Sequence, residues 1–284
     1  MRHFAWMVAV VVLGCGTLRA APAYATPVDQ LVEDYFALRS SQAFPASLTP
    51  VEAVRVQNQF VARISARLGK RVGYKVGLVT REAQQKFGVS APVRGVLLSK
   101  MMLPNGLEIP ARFGAKPLCE ADLIVVVKDR GINKAKTLLE VAEHLQQVTA
   151  FIELPDAFLS DTRAVDGPLL TASNVGARYG VIGESVPVIA SPGFVTAFED
   201  MTVTMIDQDG AVLARQPGRT ILDNPLNAVL WLKEELARSG EKLRAGDVLS
   251  LGAFKAITPQ PGQTITVRYE GLPGGPIKVS VRFK

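Results

Sequence analysis

Two carboxylates interrupt an apolar run that otherwise predicts a buried β-strand. Residues 118–127 read LCEADLIVVV, and Glu120 and Asp122 stand two positions apart within them. Because side chains alternate between the two faces of a strand, both acids are expected on one face. Burying two like charges close together costs free energy unless something positive neutralises them. The run therefore predicts a buried strand whose two acids are neutralised by a positively charged partner.

A third acid, Glu153, interrupts a second strand-like run at residues 148–154, which read VTAFIEL. Three carboxylates from two strands can form an all-oxygen site for a hard divalent cation such as Mg²⁺ or Mn²⁺. The alternative is that these acids lie on edge strands in water or pair with Lys and Arg. Both interpretations follow from the residues alone.

The first 25 residues have the pattern of a secretory signal peptide. Arg2 and His3 precede an apolar stretch at residues 4–16, and Ala23-Tyr24-Ala25 forms a small-x-small cleavage site. The apolar stretch is short for a membrane span. We therefore expect cleavage after Ala25, a periplasmic or secreted protein, and no membrane span after cleavage. A lipoprotein acylated at Cys15 and a retained anchor are the alternatives.

Charge and cysteine usage exclude several function classes. Removing Arg2 and Arg19 lowers the formal net charge from +6 to +4, and the remaining charges are scattered, which argues against nucleic-acid binding. After cleavage Cys119 is the only cysteine and His144 the only histidine, so an internal disulfide, a His-rich zinc site and a triad among several histidines are excluded. Chemistry must come from carboxylates, lysines, the main chain and a metal.

The pattern of elements predicts an α+β domain with mixed strands after an N-terminal helical layer. Residues 26–70 are predicted to be helical, and residues 71–284 to form the catalytic domain. Predicted helices cover residues 28–36, 50–68, 81–87, 137–147 and 225–239. Predicted strands cover residues 72–79, 93–98, 118–128, 148–154, 179–183, 202–207, 247–251, 264–269 and 277–283.

Nine different short motifs follow one another along the chain. They are GYKVGL at 73–78, GVL at 95–97, EADL at 120–123, IE at 152–153, VIG at 181–183, NPLNAV at 224–229, AGDVL at 245–249, PGQ at 261–263 and VSVRF at 279–283. Their order and spacing resemble the 2-keto-4-pentenoate hydratase and 4-oxalocrotonate decarboxylase branch of the fumarylacetoacetate hydrolase superfamily. The resemblance implies a mixed β-sheet or β-roll core.

The resemblance also implies an activity and a site. It places Mg²⁺ or Mn²⁺ on Glu120, Asp122 and Glu153, where the metal would chelate a small 2-keto acid, and it places Lys75 beside the substrate as a catalytic residue. The implied activity is that of a divalent-metal-dependent lyase, a hydratase acting on a 2-keto acid or its dienol. A decarboxylase or tautomerase of the same family, or a non-catalytic periplasmic binding protein for such acids, is the alternative. A homo-oligomer is expected by analogy.

The chain departs from the family pattern at several polar positions. Asp122 stands where a Glu is usual, and Val93 stands where hydratases carry a proton-transferring acid. Phe158 stands at the position of an arginine. Ser173 replaces an acid, and the pair at residues 252–253 has Ala253 in place of a serine. The resemblance therefore implies that the metal-binding acids are kept while part of the polar lining is changed.

Overall fold

The structure, a computed structural model, describes residues 26–44, 47–159 and 165–284. The predicted signal peptide, residues 1–25, lies outside the described residues. The helices are α1 (Pro27–Phe36), α2 (Pro50–Leu68), α3 (Arg81–Lys86), α4 (Leu138–Glu143), α5 (Gly167–Ala172), α6 (Pro192–Asp200) and α7 (Leu226–Arg238). The strands are β1 (Arg71–Gly77), β2 (Val93–Leu98), β3 (Met102–Pro104), β4 (Glu108–Ile109), β5 (Cys119–Val127), β6 (Leu145–Leu154), β7 (Tyr179–Pro187), β8 (Thr202–Ile206), β9 (Val212–Pro217), β10 (Val248–Ser250), β11 (Lys255–Ile257), β12 (Thr264–Glu270) and β13 (Ile277–Phe283).

The N-terminal helices begin and end where local chemistry predicts. Thr49 caps α2 by accepting from the N–H of Glu52 at 3.2 Å, and the Glu52 carboxylate accepts from the N–H of Thr49 at 2.8 Å. Gly69, at φ 85°, ends the helix. The buried rings of Tyr35, on α1, and Phe60, on α2, meet at 5.6 Å between centroids. This contact joins the two helices through apolar burial.

Two mixed sheets form the core of the described residues, which confirms the predicted α+β class. The larger sheet has the order β2-β1-β10-β5-β6-β7-β3, with β11 pairing with β5, and the smaller has the order β4-β13-β12-β8-β9. Strand β5 is central, because it pairs with β6 on one side and with both β10 and β11 on the other. Every residue of β5 is buried except Glu120 and Val126, which are partly exposed.

A gap in the main-chain pairing of β5 lies at Asp122. Strand β10 pairs with residues 124–126 of β5, and β11 pairs with residues 119–121. Leu251 and Phe254 still donate main-chain hydrogen bonds to Leu123 and Ala121, and residues 252–253 between them form an arch opposite Asp122. Gly252 lies within this arch at φ 114°, a conformation that favours glycine, and a Cβ there would meet Cγ1 of Val79 at 2.6 Å. The arch leaves room for the side chain of Asp122 between β5 and Gly252.

One predicted helix boundary is wrong. The helix predicted over residues 137–147 ends at Glu143, and β6 begins at Leu145. Thr137 caps the helix as predicted, but Leu145 and Val148 are buried in the sheet against β5. Burial of these apolar side chains and the strand pairing outweigh helix propensity in this segment. Strands β3, β4, β9 and β11 and helices α5 and α6 were not predicted.

The described residues contain no helix with the length and apolar character that a membrane crossing requires. Helix α2 is longer than the other α-helices described, and it carries charged residues along its length.

The two sheets are joined by Tyr269 of β12, a fully buried residue. Its hydroxyl contacts the main-chain carbonyl oxygen of Asp122 and lies 3.0 Å from that of Phe151. The smaller sheet therefore supports the strand pair that carries the acids.

Candidate active site

The register of β5 and β6 places two of the predicted acids directly opposite each other. Glu120 on β5 pairs with Glu153 on β6, so their side chains lie on the same face of the sheet. Burial raises the pKa of Glu120, and the two acids are close enough for repulsion from Glu153 to raise it further. Glu153 is 2% exposed, whereas Glu120 keeps partial exposure. The site therefore opens towards solvent at Glu120.

Lys75 reaches this pair from β1. Its ammonium forms an ion pair with Oε1 of Glu153 and donates to the main-chain oxygen of Val175 at 3.1 Å. The lysine is 3% exposed, which contradicts the alternative of a solvated lysine on an ordinary strand. Burial acts to lower the pKa of Lys75, but attraction from Glu153, Glu120 and Asp122 outweighs it and raises the pKa above its usual value. Lys75 is therefore a buried cation among acids.

Asp122 fills the gap in the main-chain pairing of β5. Its Oδ1 accepts from the N–H of Leu123 at 2.5 Å and from the N–H of Gly252 at 3.1 Å. Its Oδ2 accepts from the hydroxyl of Ser250 at 2.6 Å. The carboxylate is fully buried, and it accepts the hydrogen bond from Gly252 that a main-chain carbonyl would accept in an uninterrupted strand pair. In the described part of the chain, no three Asp, Glu, His or Cys side chains already converge as ligands for a metal ion.

Burial and mutual repulsion make the ionised forms of Glu120 and Asp122 unfavourable. Burial, together with repulsion from Glu153, raises the pKa of Glu120 to about 8. The same two causes, in the same order, raise the pKa of Asp122 to about 7, although hydrogen bonds from Ser250 and Leu123 act to lower it. Three carboxylates face one ammonium, so full ionisation leaves an excess negative charge. A divalent cation would relieve this repulsion, so the donor set fits a hard metal ion.

These shifts predict how the stability of the metal-free protein depends on pH. Folded-state pKa values near 7 and 8 lie above the ordinary values of about 3.9 for Asp and about 4.3 for Glu. At pH values between the ordinary pKa values and the folded-state values, the folded protein binds more protons than the unfolded chain. The free energy of unfolding therefore falls as the pH rises from about 5 to 8. Thermal unfolding in the presence of a metal chelator, repeated across this pH range, measures how steeply the stability changes with pH. Glu120→Gln, which mimics the protonated acid, should have a shallower slope, and an equal slope would contradict the assignment.

A strained turn forms the wall beside Lys75. Asn174, Val175 and Gly176 all have left-handed φ values, 58°, 54° and 65°. Such a value is unfavourable for a β-branched residue such as Val175. The side chain of Asn174 holds the turn by accepting from the N–H of Val96 at 2.7 Å and donating to its carbonyl oxygen at 2.9 Å. The turn directs the carbonyl of Val175 at the lysine.

The changed family positions have apolar or structural surroundings. The side chains of Val93 and Val175 flank Gly77, where a Cβ would meet Cγ1 of Val175 at 2.7 Å. Phe158 packs against Tyr35, with 5.6 Å between ring centroids. The side chains at positions 93 and 158 are therefore apolar and have apolar neighbours.

Arg94, the neighbour of Val93 on β2, lies outside the site. It pairs with Glu241 at 3.0 Å and stacks at 6.0 Å on Tyr74, whose hydroxyl also binds Glu241. Its neighbour in sequence, Gly95, lies beside the Lys75 side chain, so Arg94 points to the other face of β2. Cys119 is fully buried, in agreement with its interpretation as a small packed residue.

Ser250, Gly252 and Tyr269 are the residues that sequence reasoning missed. Ser250 is a fully buried polar residue in the apolar run at residues 248–251, and that interruption is the signal that could have identified it. The contact of Gly252 with Asp122 comes from its main chain, which carries no sequence signal. Tyr269 binds main-chain oxygens from the other sheet, so its role depends on the packing of the sheets.

Comparison with known proteins identifies the family. No model of a known protein family matches the chain. The 2-keto-4-pentenoate hydratase of Paraburkholderia phymatum is 32% identical over 77% of this chain and 80% of its own length. The hydratase of the same name from Burkholderia vietnamiensis is 34% identical over 72% of this chain and 76% of its own length.

The chain belongs to the 2-keto-4-pentenoate hydratase family. The family predicted from the motif order is confirmed, and with it the prediction of an enzyme of the hydratase and decarboxylase kind. The 4-oxalocrotonate decarboxylase of Pseudomonas putida, of the same branch, is 27% identical over 83% of this chain and 86% of its own length.

Solved structures confirm the predicted fold of this family. The 4-oxalocrotonate decarboxylase from Pseudomonas putida G7, complexed with magnesium and adipate, has a TM-score of 0.78 and 26% identity, and covers 91% of this chain and 96% of its own. The fumarylpyruvate hydrolase from Pseudomonas aeruginosa, in complex with Mn²⁺ and pyruvate, has a TM-score of 0.52 and 17% identity over 76% of this chain and 90% of its own. The second likeness concerns the fold alone.

Proposed function

We propose that this protein is a divalent-metal-dependent lyase that hydrates a small 2-keto acid in its dienol form. The observation that carries the proposal is the buried ion pair of Lys75 and Glu153, with Glu120 directly opposite Glu153 in the strand register. A buried cation among three acids is costly to maintain for structure alone. Such groups at a buried site with raised pKa values are typical of catalytic sites. The hydratase names of the relatives support this choice of reaction.

Glu120, Asp122 and Glu153 are the residues that would hold the cation, with Mg²⁺ or Mn²⁺ as the expected ion. Glu153 lies opposite Glu120 in the β5–β6 register and is held by the ammonium of Lys75, so oxygens from two strands meet at one buried place, which supports this assignment. When bound, a divalent cation supplies Lewis-acid stabilisation of the enolate of a 2-keto acid. The similar 4-oxalocrotonate decarboxylase is complexed with magnesium, which supports the choice of a hard divalent ion.

Lys75 is the proposed catalytic residue of this chain. Its raised pKa keeps the ammonium protonated, so it can donate hydrogen bonds to a substrate carboxylate or to a developing enolate oxygen. The contact with Val175 fixes the position of Nζ, and burial keeps bulk water away from it. The partial exposure of Glu120 leaves this side of the site open to a substrate.

Decarboxylation is the second candidate, and Val93 is the observation that favours it. Hydration requires protonation of carbon and activation of a water molecule, and the side chain of Val93 supplies neither. Loss of CO₂ from a vinylogous keto acid needs stabilisation of the enolate but no added water. The structural likeness to the 4-oxalocrotonate decarboxylase supports this candidate.

The two reactions are separated by one experiment. The purified protein, saturated with Mg²⁺ or Mn²⁺, is mixed with a 2-hydroxy-2,4-dienoate, and loss of the dienol absorbance is followed together with CO₂ release from a 2-keto-3-hexenedioate. We expect metal-dependent loss of absorbance with formation of a 4-hydroxy-2-keto acid. CO₂ release alone would favour the decarboxylase. Metal-dependent ligand binding with no turnover of either substrate would contradict both proposals.

Export and assembly are also proposed. The charged start, the apolar stretch and Ala23-Tyr24-Ala25 support a cleaved signal peptide and a periplasmic or secreted protein. Mass spectrometry of the protein isolated from an expressing bacterium should give a chain beginning at Thr26, and an intact Met1 would contradict this. A homo-oligomer remains an expectation by analogy with the family, and light scattering of the mature protein measures it.

A further inference from the structure

The carboxylate of Asp122 is already committed to protein donors. Oδ1 accepts from Leu123 and Gly252, which uses both of its lone pairs, and Oδ2 accepts from Ser250. These contacts hold together the arch opposite the gap in β5. Moving the carboxylate towards a cation would leave the N–H of Gly252 buried without an acceptor, which is unfavourable.

Glu120 and Glu153 are arranged differently from Asp122. They lie directly opposite each other in the β5–β6 register, and Oε1 of Glu153 contacts the ammonium of Lys75 and, among the residues that the structure describes, no main-chain donor that would hold it in place. Asp122 does not join them, because the described residues contain no group of three such side chains that converges on one point. An aspartate is also one methylene shorter than a glutamate at the same position. The oxygens available to a cation therefore come first from Glu120 and Glu153.

We infer that Glu120 and Glu153 bind the divalent cation directly, whereas Asp122 binds it through a water molecule. In this arrangement Ser250 and Gly252 are positioning residues, because they hold the Asp122 carboxylate at the distance that leaves room for the water. The inference rests on the proposed metal site and deepens it. A carboxylate that accepts from a metal-bound water still orients that water and contributes to affinity.

The test counts the water molecules on bound Mn²⁺. Wild type, Asp122→Ala and Glu120→Ala are titrated with Mn²⁺, and electron paramagnetic resonance gives the affinity while water-proton relaxation gives the number of bound waters. We expect Asp122→Ala to bind Mn²⁺ about 10–100-fold more weakly, with the same number of waters as wild type. Glu120→Ala should lose saturable binding or gain one water. Far-ultraviolet circular dichroism and melting without metal check that each variant is folded.

A second variant keeps the test decisive if Asp122→Ala does not fold. Asp122→Glu extends the carboxylate by one methylene, so it should displace the bridging water and leave one fewer water on Mn²⁺. A gain of one water in Asp122→Ala, or an unchanged number in Asp122→Glu, would overturn the inference while leaving the metal site intact. Failure of wild type to bind Mn²⁺ at all would instead contradict the proposed function.

Discussion

Addition of Mg²⁺ or Mn²⁺ should raise the melting temperature of the wild-type protein in proportion to the logarithm of the free metal concentration. A ligand that binds only the folded state stabilises it by about 2.7 kcal/mol at a concentration 100 times its dissociation constant. Relief of the repulsion that Glu153 exerts on Glu120 adds to the effect at neutral pH. Differential scanning calorimetry across a metal titration measures the shift.

The matched variants for this titration are Glu153→Gln and Glu82→Gln. Glu153→Gln removes a proposed ligand and should abolish the metal-dependent shift. Glu82→Gln removes an exposed acid of helix α3 and should respond to metal as wild type does. A wild-type melting curve that does not change at millimolar metal, or an equal shift in Glu153→Gln, would contradict the assignment of the metal site to these acids.

Replacement of Lys75 by Met should destabilise the metal-free protein and reduce turnover by separate mechanisms. Removing one partner of a buried ion pair costs about 3–5 kcal/mol, because Glu153 is left as an uncompensated buried acid. Turnover should fall by about 100- to 10,000-fold, since a positioned acid–base group contributes about this much to a rate. Chemical denaturation in chelator and kcat at saturating metal measure the two effects.

Metal separates the structural role of Lys75 from the catalytic one. In Lys75→Met a bound divalent cation takes over the neutralisation of Glu153, so metal should restore much of the lost stability. It should not restore turnover, because the proton-donating ammonium is absent. Exposed Lys86→Met on helix α3 is the control for loss of a lysine and should leave both quantities unchanged. Recovery of turnover by metal alone would contradict the catalytic assignment of Lys75.

The changed lining has a consequence for the reaction. Val93 and Val175 place hydrocarbon beside Gly77, on the same strand as Lys75, where the family pattern implies an acid. Lys75 is then the proton-donating group that we assign to this site. The comparison of hydration with decarboxylation tests whether the site activates water without the family acid.

Much of the fold follows from local chemistry that sequence alone reveals. The capping box of Thr49 and Glu52 sets the start of helix α2, and Gly69 sets its end. The period-2 pattern places Glu120 and Asp122 on one face of β5, as expected. In contrast, the helix predicted over residues 137–147 ends early because Leu145 and Val148 are buried by pairing with a distant strand. Pairing of this kind is not encoded within the segment itself.

The sequence by itself determined the family, the strands that carry the acids and the identity of the charged residues. Tertiary structure decided how these residues meet. The register of β5 against β6 sets Glu120 opposite Glu153, the neighbouring strands bring Lys75 to the same face, and the arch at Gly252 engages Asp122 with Ser250. The physical reason is that periodicity and capping act over a few neighbouring residues. Strand register and main-chain donors act between residues far apart in the chain, and their positions depend on the packing of the whole domain.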